Sequence, residues 1–521
     1  MRILILGSDN FAPALRGLGH EVLICGPGPG ADVVLPADDP DWRELEKVLR
    51  SQGRMVDAVL VTDDVGRRRL PTGLWGACAV TAFYGVDSPL NRFWQWPYAR
   101  LFDAAWLDQP EEAQRLGRLH PNAGWLPVGI DPDLYAGGKE ARTQPGVCFV
   151  GVVNERVRPK RSALLRRVAK AAPLLVRGGR KEKWFPTQEA ARLYRRFYLT
   201  LNENLFPGLT TRSLEVMAAG GVLLSEAAPG ALDRFFKGGL HLDYFGPDDL
   251  EQKLEYYLGC EEARRRLAKA GQEAVRAGHT LWHRASEISR VLSETARWPV
   301  EQRPRAKGGQ ALCLEGQALM LAGLRWPAQG GLKRLTRATG RLKAAAQNGQ
   351  TLPAARSAGL ALAATGQWGQ ALGYFKKASE AGRPADRLNL ALAAREAGQG
   401  DLAGQVLKSL AKDYPGLAAG PGRAGFYLAA ARLLLDQGKD LSPGFSRRRL
   451  AMPLWTACEH LQEATAQEPA NAQAWEELGD LLLKRGGANQ AHHCFARARQ
   501  LADSADLIAK QSEAARMGYL A

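Results

Sequence analysis

Sulfur is scarce in this chain and forms no pattern. Seven cysteines stand at positions 25, 78, 148, 260, 313, 458 and 494. The number is odd and no pair has C-x-x-C spacing, which excludes the usual structural zinc and dithiol arrangements. Reduced thiols in a cytoplasmic protein are the simplest reading. Long apolar runs are also missing. No segment approaches the roughly 18 residues that a membrane span needs. The apolar start Met1–Gly7 is too short for a secretory signal and reads as a buried first strand. Any membrane contact is therefore expected to be peripheral, at the inner face. Acidic residues are outnumbered, 54 against 70 Lys and Arg, for a net charge of +16. That excess bears on partners rather than on fold. It fits a phosphate-bearing ligand, an acidic membrane surface or nucleic acid, and equally an Arg-rich proteome. A hydrophobic share of 45% excludes a disordered chain.

A length of 521 residues suggests about three units. Residues 1–132 alternate short apolar strands with helices: Ile3–Leu6, Glu21–Cys25, Asp57–Val61 and Ala77–Ala82 read as strands. This alternation predicts a parallel sheet covered on both faces, with ligands at the strand C-terminal ends. Leu126–Pro132 reads as a strand entering an interdomain connection. A second α/β pattern fills residues 146–290, with strands at Val147–Gly151, Pro173–Val176, Leu199–Asn202 and Val222–Ser225. Residues 291–308 read as a linker, with Pro, Gly and charge concentrated in 297–308.

From 309 to 521 the strand signal disappears. A small–large–small pattern recurs at Ala371/Phe375/Ala378, Ala403/Leu407/Leu410, Ala457/Leu461/Ala464 and Ala491/Phe495/Ala498. The leading alanines are 32, 54 and 34 residues apart, and a loop insertion around Lys439–Arg449 explains the longest spacing. Gly366, Gly398 and Gly486 mark turns between paired helices. Trp475-Glu476-Glu477-Leu478-Gly479 resembles the start of a tetratricopeptide helix, whose repeat period is 34. An all-α solenoid of such repeats is expected, with an irregular helical bundle as the alternative.

The segment Leu201–Leu224 carries the chemistry. It reads as strand, loop, helix, Gly turn, strand. Exposed N–H groups and the positive helix end after Gly208 suit a diphosphate. Gly208 allows close approach, and Thr210 and Thr211 are able to cap the helix and donate hydroxyls. Glu215, one turn in, is placed to accept bonds from two ribose hydroxyls, or is simply a helix acid.

Arg212-x-x-Glu215-x-x-Ala218-x-Gly220 followed by a strand resembles the donor-site signature of group-1 GT-B glycosyltransferases, and more closely their CgeB-type branch. Phe149-Val150-Gly151, Asp243-Tyr244, His279-Thr280-x-x-His283-Arg284 and Leu126-Pro127-x-Gly129-Ile130-Asp131 also fit, so the resemblance spans about residues 1–290. It implies a two-lobed α/β GT-B fold of twin Rossmann-like domains, with ribose binding by Glu215 and donor contacts from Arg212. It also implies basic residues that neutralise the leaving diphosphate in place of a metal. Arg156 and Arg161 are the candidates, although a solvated basic helix face is the alternative. One feature departs from the family: its first glutamate, eight residues before the second, is here Pro207, which leaves the stereochemical course open.

In the first lobe, Gly7 heads a loop expected to face the cleft. Asp87, after a strand, is the candidate base that takes the acceptor proton, or a turn former before Ser88-Pro89. The run Phe93-Trp94-x-Trp96-x-Tyr98 lines an acceptor groove or packs a helix. No metal ligands are expected. Asp131-Pro132-Asp133 lies in a connection, and His279 with His283 lacks a third ligand.

The expected activity is metal-independent transfer of a hexose or N-acetylhexosamine from a nucleotide-diphospho-sugar, UDP-linked, to an acceptor hydroxyl. The acceptor is expected on a surface or flagellar protein recruited by the repeats. Lipid-linked or surface glycan is the second acceptor class. The rivals are a non-catalytic repeat scaffold with a relic GT-B portion, and nucleic-acid binding through the basic surface, for which no motif stands.

Overall fold

The computed structural model describes residues 1–27, 30–34, 39–63, 68–136, 142–153, 159–178, 185–204, 208–227, 230, 232–413, 425, 427–428, 431–432, 457–484 and 487–520. Contacts divide the chain into two compact units. One is Met1–Asn154 with Leu164–Ala306, and the other is Glu155–Ala163 with Lys307–Ala521.

The first unit holds two lobes. In the N-terminal lobe, seven strands form one parallel sheet. They are β1 (Arg2–Leu6), β2 (Glu21–Gly26), β3 (Val33–Val34), β4 (Ala58–Thr62), β5 (Val80–Gly85), β6 (Ala104–Leu107) and β7 (Ala123–Trp125), in the order β3-β2-β1-β4-β5-β6-β7. Helices α1 (Ala12–Gly17), α2 (Trp42–Ser51), α3 (Ser88–Ala99) and α4 (Pro110–Gly117) connect them. Residues Ile3, Leu4, Ile5, Val59 and Leu60 are wholly buried, as expected for strands covered on both faces. Strands β3, β6 and β7 were not legible in the sequence, because each is only two to four residues long. Leu126–Asp131 is not a strand. Its one β-type pairing among the described residues is an isolated bridge from Ile130 to Thr280.

The C-terminal lobe has a five-stranded parallel sheet of β8 (Gln144–Val150), β9 (Leu174–Arg177), β10 (Phe197–Asn202), β11 (Leu223–Glu226) and β12 (Asp243–Phe245), ordered β12-β11-β10-β8-β9. Its helices are α5 (Pro159–Ala171), α6 (Thr187–Arg196), α7 (Thr211–Ala218), α8 (Leu232–Phe235), α9 (Leu250–Gly259), α10 (Glu261–Gly278) and α11 (Leu281–Ala296). The last of these returns to the N-terminal lobe, where Ala285, Ile288 and Leu292 join the core of Ile3, Ile5 and Leu60. At the crossover, Arg284 donates from Nε to the Pro127 carbonyl at 2.7 Å and from Nη1 to the Gly278 carbonyl at 3.1 Å.

The segment expected to connect lobes and repeats carries a buried charge cluster. Asp103 is 0% exposed, and Arg305, 1% exposed, approaches it to 3.2 Å. The same guanidinium donates to the Leu74 carbonyl at 3.3 Å and to the Ala77 carbonyl. Arg303 donates to the Cys78 carbonyl at 2.9 Å. These bonds tie residues 303–305 to the base of β5.

The second unit is helical throughout its described residues. It contains α12 (Gly308–Arg325), α13 (Gly331–Gln347), α14 (Thr351–Ala364), α15 (Trp368–Ser379), α16 (Pro384–Glu396) and α17 (Gly400–Asp413). Further helices span Ala457–Gln467, Ala472–Lys484, Ala488–Leu501 and Ala505–Leu520. The recurring small and large residues are its core: Ala371, Phe375, Ala378, Ala491, Phe495 and Ala498 are wholly buried. Gly359 faces Phe375 and Gly479 faces Phe495 so closely that a Cβ on either glycine would lie within 2.7 Å of the ring. The expected insertion Lys439–Arg449 and the turn glycine Gly486 lie outside the described residues. Among those described, no helix is long and apolar enough to cross a membrane.

Candidate active site

The loop between β10 and α7 behaves as its residues require. Thr210 is the N-cap of α7, with extended backbone, and its hydroxyl accepts from the Ser213 amide at 3.3 Å. That leaves the preceding N–H groups at a positive helix end. Thr211, the first helical residue, is exposed, and Gly208 is buried. Glu215 is half-buried one turn along. It accepts from the Tyr194 hydroxyl at 3.4 Å and from Tyr135. Burial raises its pKa, opposed by the Tyr135 bond, the Arg212 charge and the Tyr194 bond.

Arg212 turns inward from the same helix. Nε donates to the Val150 carbonyl at 2.8 Å and Nη1 to Asn202 Oδ1 at 3.1 Å, with the guanidinium 4.7 Å from the centre of the Phe149 ring. It thereby ties the end of β8 to the end of β10. Gly151 suits this join, with φ +155° and a Cβ position only 2.3 Å from Arg212 Nη2.

Gly7, at the end of β1, has φ +113°, and a Cβ on it would sit 2.0 Å from the Thr62 carbonyl. The glycine is thus explained by the close approach of β4. Thr62 fixes the same turn by donating to the Ser8 carbonyl at 2.7 Å.

Asp87 precedes α3 with φ +50°, the left-handed region, and is the one non-glycine residue with positive φ among those described. Aspartate tolerates this better than most residues. Its own side chain does not cap α3. Asp108, at the end of β6, does so instead. It accepts from the Asp87 amide at 2.9 Å, the Ser88 amide at 3.0 Å and the Ser88 hydroxyl at 2.6 Å. Asp63, at the end of β4, is the third carboxylate here. It accepts from Gln95 Nε2 at 2.9 Å and pairs with Arg68 at 3.4 Å. Three adjacent strands, β4, β5 and β6, therefore each deliver an aspartate at their C-terminal ends.

Burial is the main cause that pushes Asp63 up to about 7 and Asp108 up to about 6, with like charge from Asp87 adding to both. An unfolded aspartate titrates near 3.9. The folded state therefore holds protons that the unfolded state releases, and this contribution to stability is lost as pH rises from about 4 through about 7. Asp63→Asn should flatten that decline. Urea unfolding of both proteins between pH 4.5 and 7.5 checks it, and parallel curves would contradict it.

Arg161 is buried on α5, in the segment that groups with the helical unit. Arg156 and Pro207 lie outside the described residues. Trp94 and Tyr98 pack a core, each set edge-on or tilted against Phe83 or Phe102. His279 accepts from Arg284 at 3.1 Å, and His283 bonds Thr280 at 2.6 Å. Asp131 caps the following turn through the Asp133 amide at 3.0 Å. Among the described residues, no group of three His, Cys, Asp or Glu is arranged to hold a metal. Asp108 and Gln109 escaped the sequence reading because the strand before them is short. Their position after a strand, like that of Asp87, is the signal that finds them.

Residues 158–290 match the family model described as "Glycosyl transferase-like". The C-terminal lobe thus carries a glycosyltransferase-like domain. Solved structures similar to the chain include a glycosyltransferase from Rickettsia africae ESF-5. It has 9% identity and a TM-score of 0.40, over 57% of this chain and 99% of that one. Anabaena Alr3699/HepE in complex with UDP-glucose has 12% identity and a TM-score of 0.41, over 56% of this chain and 100% of that one. Sucrose-phosphate synthase from Thermosynechococcus elongatus has 13% identity and a TM-score of 0.41, over 56% of this chain and 98% of that one. None of the curated proteins matches the chain.

Proposed function

We propose that the chain is a cytoplasmic, metal-independent glycosyltransferase of the GT-B type. It moves a hexose or N-acetylhexosamine from a UDP-linked donor to an acceptor hydroxyl on a protein recruited by tetratricopeptide-like repeats. The observation that carries this reading is the Thr210-capped helix with Glu215 one turn in, inside the stretch that matches the glycosyltransferase model. The diphosphate sits at the helix N-terminus, where N–H groups and the helix dipole offset its charge. Glu215 accepts from the ribose hydroxyls. Asp87, half-buried beside two carboxylates, takes the acceptor proton as the acceptor oxygen bonds the anomeric carbon and the diphosphate leaves. Arg156 and Arg161 are proposed to neutralise that leaving group, and Gly7 lets the first loop approach it.

The test is transfer or slow donor hydrolysis by the purified full chain, followed by mass spectrometry with and without EDTA. Turnover unaffected by EDTA is expected. Turnover abolished by EDTA and restored by Mn²⁺ would contradict the metal-free reading.

The division of labour is tested separately. A truncated protein ending at Lys307, beyond Arg305, should keep nucleotide affinity and lose protein transfer through a raised acceptor KM, because the deleted contacts bind ground and transition states alike. Unchanged KM for the native acceptor would assign the repeats another task.

A further inference from the structure

Gln109 is the N-cap of α4, yet its side chain makes no capping bond to that helix. Pro110, at the first helical position, has no N–H to offer. The carboxamide instead sits between two features of the candidate site. On one side, Nε2 donates to Asp108 Oδ2 at 3.1 Å. On the other, Oε1 faces Gly208 of the α7 loop, so closely that a Cβ on that glycine would lie 2.3 Å from it. The residue is only 3% exposed, and Oε1 has no hydrogen-bond partner among the described residues.

The orientation of the amide follows from its neighbours. The reverse orientation would set Oε1 against the Asp108 carboxylate, an acceptor against an acceptor. Asp108 is itself fixed by the Asp87 and Ser88 amides. An acceptor oxygen is thus held beside the loop that receives the donor, with no described residue donating to it. A buried polar atom left unpaired is costly, and a ligand group that pairs with it is recognised for that reason. The oxygen cannot serve a phosphate, because both are acceptors. It suits an O–H or amide N–H.

We infer that Gln109 is a sugar-recognition residue supplied by the N-terminal lobe, whose side-chain oxygen accepts a hydrogen bond from a hydroxyl or acetamido N–H of the transferred sugar. The inference rests on the donor reading of α7 and adds a specific contact to the part of the donor beyond the diphosphate. It also gives Gly208 a second reason to be glycine, since alanine there would drive the carboxamide away from the loop.

The experiment compares each nucleotide with its sugar conjugate by calorimetry on the full chain: UDP with UDP-glucose and UDP-N-acetylglucosamine, and GDP with GDP-mannose. For the pair that wild type binds, Gln109→Leu should weaken the conjugate about tenfold and the free nucleotide less than about twofold, the loss of one hydrogen bond. In donor hydrolysis, KM for the conjugate should rise while inhibition by the free nucleotide is unchanged. Equal losses for nucleotide and conjugate, or no loss for either, would overturn the assignment while leaving the donor site standing. Wild-type protein that binds none of the nucleotides would remove the donor site itself, and this assignment with it. A Gln109→Leu protein that does not fold is replaced by Gln109→Asn. This keeps the amide but withdraws the oxygen, and the same selective loss is expected.

Discussion

Replacing Arg305 by methionine should lower the stability of the two-lobed unit by about 3–5 kcal/mol, the usual cost of removing one partner from a buried ion pair. Asp103 would keep its bonds from Thr81 but, of its two arginines, only Arg303 at 3.7 Å in place of the closer Arg305 at 3.2 Å. The Leu74 and Ala77 carbonyls would lose a donor as well. Replacing the acid too, as Asp103→Leu with Arg305→Met, should recover much of the loss, because the penalty lies in the stranded charge more than in the missing attraction. Urea unfolding followed by circular dichroism reads both. A loss below about 1 kcal/mol in the single variant would mean that the cluster is solvated and that residues 303–305 are a loose connection. The result also sets where the lobes end, since a truncation before Arg303 leaves Asp103 without either partner.

The second large effect falls on Glu215. Glu215→Gln should weaken nucleotide binding about 10- to 100-fold, because bonds accepted by a charged group contribute roughly 1.5–3 kcal/mol. The fold should survive, since glutamine still offers an acceptor to the Tyr135 and Tyr194 hydroxyls that Glu215 now engages. Isothermal titration of both proteins with the nucleotide that stabilises wild type is the measurement. Equal affinities with equal thermal midpoints would assign Glu215 to the two tyrosines alone.

The elements that were legible in the sequence are those with long local signals. The strands around Ile3–Leu6 and Val147–Val150 were readable from unbroken apolar runs, and α7 from its Thr210 cap and following Gly turn. The periodic alanines of the helical unit likewise announced its core. What escaped depends on contacts between distant residues. Nothing local marks Arg305 as a buried partner of Asp103, 202 positions away, so residues 297–308 read as polar linker. The resemblance implies donor contacts from Arg212, but nothing local announces its bonds within the protein. In the fold its guanidinium is engaged by Val150 and Asn202. Asp87 was singled out as following a strand, whereas Asp63 and Asp108 share that placement and lie beside it. Their grouping is a property of strand order, β4-β5-β6, which a sequence does not display.

The most direct measurement is calorimetric titration of the wild-type full chain, in EDTA, with UDP, GDP and CMP and with their sugar conjugates. Saturable binding of one nucleotide class at one site per chain, lost in Glu215→Gln, is the expected result. A wild-type chain that binds none of these ligands, with or without added Mn²⁺, would contradict the assignment of α7 as a nucleotide-sugar site.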